Sequence, residues 1–232
     1  MALKGMRVKA RDNKNYGTTR VEFDSAKNRC KIVSQSMLEY IEYMRLEFDP
    51  EVISYVPHPG EILIEDAAGE KHRSVFDAEV HMTDGSLIYE EIKYSKEIKE
   101  GNDSNDPFRS LRQIEFQKKW CDENGYEYRV VTEKELAAYP ALLNNCLFIT
   151  QRLRYERIDD ISVIAGLSES VYTRITEKGG SAVISSILYD PGDIDEIENT
   201  MTAVCDLLLK GRITADIEKE DLFIGSEVRI NG

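Results

Sequence analysis

Apolar and polar residues alternate along short stretches of the first half of the chain, as in β-strands, whose side chains point to opposite faces in turn. Residues 74–82 and 87–94 alternate most regularly. They are joined by Thr83-Asp84-Gly85-Ser86, and an Asp-Gly pair between alternating runs is typical of a hairpin turn. The pattern predicts strands over residues 52–56, 61–65, 74–82, 87–94 and 126–131.

Apolar residues spaced three or four apart predict helices around these strands. Met37, Ile41 and Met44 mark one helix, which should end near Pro50 because the residue before a proline disfavours the helical backbone. A second helix is predicted over residues 108–123, where an Asn-Gly pair follows as its cap. Strands interspersed with helices predict an α/β fold for this part of the chain.

The last third of the chain is predicted to be mainly helical. Asp193 begins an amphipathic helix, and residues 211–215 follow it as a short strand. The apolar positions of that helix are Ile194, Ile197, Met201, Val204 and Leu208. Helices followed by a terminal β ribbon predict a winged-helix module.

The composition changes twice along the chain, which predicts three parts. Residues 1–33 are polar and basic and have little periodicity, so they are predicted to form an arm with at most a short helix or strand. Residues 34–145 carry the predicted strands, and residues 146–232 form the predicted winged-helix module.

The chain has the composition of a globular protein. It has 232 residues, of which 41% are hydrophobic and 31% are charged. No apolar run approaches the roughly 20 residues that span a bilayer, and the first residues lack the apolar core of a signal peptide. The four cysteines have no C-x-x-C spacing and the three histidines no zinc-ligand spacing, which indicates reduced thiols. We therefore expect a cytoplasmic protein without membrane association.

Charge is distributed unevenly along the chain. The net charge is −13, yet residues 1–33 hold nine Lys and Arg against three acids. A basic arm on an acidic body favours an arm that contacts phosphate and a body that depends on other proteins to hold DNA. A solvated tail would have the same composition, so both interpretations stay open.

One constellation of charged residues indicates chemistry. Asp77 lies in one predicted strand, and Glu91 and Lys93 lie on one face of the next. Nucleases of the restriction-endonuclease type use such a set to hold Mg²⁺, a hard cation that prefers carboxylate and carbonyl oxygens. Asp77, Glu91 and the backbone carbonyl of Ile92 could be ligands, with Mn²⁺ as a substitute ion. Lys93, beside two carboxylates, should stay charged and orient the attacking water.

The hairpin geometry sets a condition on this site. A two-residue loop at Asp84-Gly85 would pair Asp77 with Ile92 and so turn Asp77 away from Glu91, because directly opposed residues share a face. We therefore predict a three-residue loop or a bulge between Asp77 and Glu91.

Two alternatives remain at the level of the residues. Glu39, on the first predicted helix, could complete the metal shell, but Ser36-x-x-Glu39 also fits a capping box. Acids and lysines that alternate along a strand can equally form its solvated face.

Several segments together resemble TnsA, the endonuclease subunit of heteromeric bacterial cut-and-paste transposases. The resemblance covers about residues 34–232 and leaves the basic arm outside. The segments that carry it are Ser36–Tyr40, Leu46–Val52, Phe76-Asp77, Asp84–Ser86, Glu91–Lys93, Tyr128–Glu133, Asp206–Leu208 and Gly211–Ile213.

The resemblance implies a restriction-endonuclease-like mixed sheet with flanking helices, followed by a winged-helix domain. It implies Mg²⁺-dependent cleavage of the non-transferred strand at transposon 5′ ends. By motif position, Glu39, Asp77 and Glu91 would be metal ligands and Lys93 the base that orients water. The implied partners are the DDE transposase TnsB and the AAA+ regulator TnsC, the latter bound largely through the C-terminal domain.

Two other functions stay under consideration. A stand-alone restriction or resolvase-like nuclease could carry the same site, although an acidic protein neutralises phosphates poorly. A non-catalytic adaptor that bridges transposase and regulator is the second alternative. Residues 146–232 hold nine basic and sixteen acidic residues, which favours protein docking over DNA binding for that part.

Overall fold

The computed structural model describes residues 20–65, 69–99, 106, 108–154 and 161–231. Contacts divide these residues into two compact units. The first comprises residues up to Tyr40 together with 51–132, and the second comprises 41–50 together with the residues from Glu133 onward. The predicted limits of 34–145 and 146–232 stay predictions beside this division.

The first unit contains eight described strands and three described helices. In chain order its described elements, with helix α1 running on past Tyr40, are β1 (Val21–Ser25), β2 (Cys30–Ser34), α1 (Met37–Phe48), β3 (Val52–Pro57), β4 (Ile62–Glu65), β5 (Lys71–Ser74), β6 (Ala78–Met82), β7 (Leu87–Ile92), α2 (Ser95–Lys99), α3 (Arg109–Asn124) and β8 (Glu127–Val131).

Four of these strands form a mixed sheet in the order β3-β6-β7-β8. β6 runs antiparallel to β3 and β7, and β7 runs parallel to β8 because α3 makes the crossover between them. The mixed sheet with helices confirms the predicted α/β class. The predicted strand over 74–82 is wrong in one respect, since it is divided into β5 and β6 by residues 75–77.

Aromatic side chains hold α3 against the sheet. Phe76, Tyr89 and Cys121 are buried together, and the ring centroids of Phe76 and Tyr89 are 4.5 Å apart. Trp120 on α3 meets the ring of Tyr89 edge-on at 5.6 Å. α3 ends at Gly125, which takes the left-handed conformation (φ 73°), so the predicted Asn-Gly cap is confirmed.

Part of the predicted basic arm is a folded hairpin. β1 and β2 pair antiparallel over 21–34, and the side chains of Phe23 and Ile32 are buried. Asn28 in the turn accepts a hydrogen bond from the backbone N–H of Tyr55 at 3.1 Å. The prediction of an arm through residue 33 is therefore wrong for residues 21–33. Their apolar residues are too few to show a periodicity in the sequence, but they pack locally in the hairpin. Residues 1–19 lie outside the described part of the chain.

The second unit has more helix than strand. After the end of α1 its described elements are α4 (Glu133–Leu136), α5 (Leu142–Arg154), α6 (Ile161–Glu177), β9 (Ser181–Val183), a 3-10 turn (Ile184–Ile187), α7 (Ile194–Leu209), β10 (Ile213–Thr214) and β11 (Glu227–Ile230). The three strands form an antiparallel sheet in the order β10-β11-β9.

Helix α7 follows its sequence pattern over its later turns, whereas Ile194 in the first turn is 73% exposed. The Asp193 carboxylate accepts from the backbone N–H groups of Asp195 and Glu196, which confirms it as the N-cap. Met201, Val204 and Leu208 are buried. Across the residues that the structure describes, no helix is both long and apolar enough to cross a membrane.

Candidate active site

The loop between β6 and β7 determines which side chains share a face. Ala78 pairs with Glu90 and His81 with Leu87, which leaves three residues, 83–85, between Met82 and Ser86. Gly85 has a φ of 87°, the left-handed conformation that ends a three-residue hairpin loop. The prediction of a three-residue loop is therefore confirmed.

The side chain of Lys93 lies on the same face of the sheet as the carboxylates of the site. Its ammonium is 3.9 Å from Oδ2 of Asp77 and forms an ion pair with Oε1 of Glu91. Burial lowers the pKa of Lys93, but the charges of Asp77 and Glu91 raise it by more, and the net shift is upward. Lys93 is therefore a cation between two carboxylates, as its sequence context predicts.

Asp77 is attached to β7 by its side chain. Its Oδ2 accepts a hydrogen bond from the backbone N–H of Ile92 at 2.7 Å. Burial, and then the charge of Glu91, raise the pKa of Asp77 to about 7, although Lys93 acts in the opposite direction. Burial is thus the main reason why the charged form of Asp77 is disfavoured, and the neighbouring carboxylate of Glu91 adds to it.

Glu91 is completely buried and is held from α3. Gln113 donates to its Oε1 at 2.8 Å, and Gln117 donates to its Oε2 at 2.7 Å. With Lys93, three donors therefore surround this carboxylate. A fully buried acid with this many donors is a built feature and does not belong to a solvated strand face.

Glu39 serves as a helix cap and also faces the site. Its backbone N–H donates to Ser36 Oγ at 3.1 Å, and its Oε2 accepts from the N–H of Gln35 at 2.7 Å. The capping role is therefore present, although the carboxylate reaches Gln35 instead of the cap residue itself. The same Oε2 lies 3.4 Å from Nε2 of His58. Burial raises the pKa of Glu39, but His58 and the N–H of Gln35 lower it by more.

His58 is a site residue that the sequence did not reveal. Its ring lies between two acids, with Nε2 beside Glu39 and Nδ1 4.0 Å from Oδ1 of Asp77. Its backbone N–H donates to the carbonyl of Asp77 at 2.9 Å, and its φ of 46° is unusual for a residue other than glycine. Burial lowers the pKa of His58, but Glu39, Asp77 and Glu91 raise it by more. His58 reaches the site only because β3 pairs with β6. No local sequence motif indicates that pairing.

Gln113 and Gln117 were also missed, although a signal for them exists. They are four residues apart on α3, and Gln117 lies four residues before the buried Cys121. Polar residues on the buried face of an amphipathic helix require partners inside the fold. The partner, Glu91, could have been identified only from the contact of α3 with the sheet.

The side chains at this site include ligands of the chemical type that a hard divalent cation prefers. Glu39, Asp77 and Glu91 carry carboxylates, whose oxygens such ions prefer as ligands. Among the described residues, however, no group of three or more His, Cys, Asp or Glu side chains is arranged so that it could hold a metal ion. The role of Ile92 as a backbone ligand stays a prediction.

Residues 49–133 match the family model described as TnsA-like endonuclease N terminal. This segment contains His58, Asp77, Glu91 and Lys93, whereas Glu39 lies upstream of it. Comparison with curated proteins gives no match. The mixed sheet and the family match together define an endonuclease domain.

Residues 49–133 are therefore similar to the N-terminal domain of TnsA-like endonucleases. The name of that family refers to Tn7-type transposition, which acts on a DNA substrate.

Proposed function

We propose that this chain is the metal-dependent endonuclease subunit of a transposase and cleaves the non-transferred strand at transposon 5′ ends. The observation that carries the proposal is the convergence of Asp77 and Glu91 on the Lys93 ammonium. The three-residue loop produces this convergence within a TnsA-like endonuclease domain. Hydrolysis of a phosphodiester requires stabilisation of the extra charge of its transition state, and Lys93 is a cation fixed for that purpose.

The proposed cofactor is Mg²⁺, with Mn²⁺ as a substitute. Glu39, Asp77, Glu91 and the carbonyl of Ile92 would hold it. When bound, such an ion activates water and offsets charge at the phosphate. The part of Lys93 is to donate hydrogen bonds to the attacking water or to a phosphate oxygen. The part of His58 is to keep the carboxylates of Glu39 and Asp77 near each other.

The proposed partners are a TnsB-like transposase and a TnsC-like regulator. The net charge of −13 supports a subunit that receives DNA from partners, because an acidic surface repels phosphate. The order of α6, β9, α7, β10 and β11 supports the winged-helix assignment for the C-terminal part. Its excess of acids supports protein docking there.

Cleavage mapping on transposon-end DNA with both partners tests this function. We expect Asp77→Ala and Lys93→Ala to reduce 5′ cleavage by about a hundredfold or more, as removal of a charge-stabilising group does. Lys99→Ala is the matched control, since Lys99 is an exposed lysine on α2. Normal excision with Asp77→Ala would contradict the catalytic role of Asp77 and favour the non-catalytic adaptor function. Efficient cutting of plain duplex DNA by the isolated chain would instead favour the stand-alone nuclease.

A further inference from the structure

We propose that helix α3 positions the active-site carboxylates through Gln117, assisted by Gln113 and Tyr128. This inference rests on the proposed nuclease function and extends it to residues outside the Asp-Glu-Lys constellation. Gln117 is a positioning residue here, because it acts through Glu91 and Val75 and not on the substrate.

The hydrogen bonds of Gln117 leave its amide a single orientation. Its Nε2 donates to Oε2 of Glu91 at 2.7 Å and to the carbonyl of Val75 at 3.3 Å. A carbonyl and a carboxylate can only accept, so the NH₂ group must face them. The amide oxygen then faces Tyr128, whose hydroxyl donates to it at 2.8 Å.

Gln117 connects the two chain segments that carry the acids. Val75 lies two residues before Asp77, and Ser74 Oγ is also 3.0 Å from the amide nitrogen. Glu91 lies on the neighbouring strand, β7. The fully buried side chain of Gln117 therefore fixes the distance between the chain segment just before Asp77 and the carboxylate of Glu91.

Gln113 fixes the other oxygen of Glu91. It donates to Oε1 at 2.8 Å, one helical turn before Gln117 on the same face of α3. A glutamate side chain has several rotatable bonds, so donors on both oxygens are needed to restrict its carboxylate to one position. The sheet provides the backbone of Glu91, and α3 determines where its oxygens point.

The consequence is measurable in metal binding. Residues that orient metal ligands through hydrogen bonds typically affect metal affinity by about tenfold to a hundredfold. Gln117→Met keeps the length and volume of the side chain and removes the amide. We expect it to raise the Kd for Mn²⁺ by about tenfold or more. Tyr128→Phe removes only the hydroxyl and should raise that Kd to a smaller extent.

The experiment is calorimetric titration of the full chain with Mn²⁺ alone, with thermal unfolding of each variant in EDTA as the check on folding. Cys121→Ala is the matched control. Cys121 is buried on the same helix and packs against Phe76 and Tyr89, whereas the hydrogen bonds to Glu91 come from Gln113 and Gln117. Its substitution should lower Tm while the Mn²⁺ Kd stays at the wild-type value.

The outcomes separate the two proposals. No Mn²⁺ binding by the wild-type chain would contradict the proposed metal site itself. Wild-type binding with an unchanged Kd in both Gln117→Met and Tyr128→Phe would overturn the positioning role alone. If Gln117→Met does not fold, Gln113→Met replaces it, because Gln113 is only half-buried, and the same comparison decides.

Discussion

At the scale of single residues, the carboxyl group of Asp77 makes the stability of the protein depend on pH. It is held against Glu91 and its pKa is raised to about 7, well above the ordinary value of 3.8. A carboxyl whose pKa rises on folding binds its proton more tightly in the folded state. Folding is therefore favoured most at low pH, and this advantage is lost as pH rises from about 4 to about 7.

We therefore expect Asp77→Asn to stabilise the metal-free protein in a pH-dependent way. Asparagine can still accept from the N–H of Ile92 through its amide oxygen but carries no charge. The Tm of the variant relative to wild type should be distinctly higher at about pH 8 than at about pH 5. Thermal unfolding in EDTA measures this difference, and an equal Tm difference at both pH values would contradict it.

The residues of the site differ in how far the sequence reveals them. Asp77, Glu91 and Lys93 are visible because a strand pattern and a short spacing suffice to place them together. His58 and Gln117 are not, because each reaches the site through the pairing or packing of elements far apart in sequence. Glu39 is visible too, but its capping role and its place beside His58 occur together, so the two predicted alternatives are not exclusive.

At the scale of elements, the β6–β7 hairpin is the part that the sequence predicts best. The requirement that Asp77 and Glu91 share a face predicts a three-residue loop or a bulge, and the three-residue loop is the one present. The β1–β2 hairpin was missed because strands of five residues beside many charges carry no distinct periodicity. Tertiary contacts such as that of Asn28 with Tyr55 supply what the local pattern lacks.

The conformation of Gly85 gives a second prediction. Its φ of 87° is unfavourable for residues with a Cβ, although no atom lies within 4 Å of where that Cβ would be. Gly85→Ala should therefore reduce the free energy of unfolding by about 1 kcal/mol. Urea denaturation measures it. Gly60→Ala is the control, because Gly60 has equal space and no left-handed φ, and an equal loss at both positions would refute the backbone explanation.

At the scale of the whole molecule, the proposed function requires an acidic protein to engage DNA. The described structure limits the unassigned basic segment to residues 1–19, which hold five Lys and Arg and one acid. If that segment contacts phosphate, its removal should weaken DNA binding and flatten the salt dependence. The slope of log K against log salt should change by about 0.9 for each phosphate that the segment neutralises.

Binding measured across a series of salt concentrations, for the full chain and a chain lacking residues 1–19, tests this role of the segment. An unchanged slope would mean that the segment is only a solvated tail. A cut after residue 31 would be a poor substitute, since it removes all of β1 and the first two residues of β2 and would destabilise the first unit.

The three-residue loop also makes the proposed site depend on whether the number of loop residues is odd or even. Side chains on a strand alternate, so inserting or deleting one residue between Met82 and Ser86 would move Asp77 and Glu91 to opposite sides of the sheet. A change of two residues would return them to the same side. Loops of odd length thus preserve the proposed site and loops of even length do not. A single-codon deletion in the loop would therefore abolish the proposed site while every one of its residues remains in the sequence.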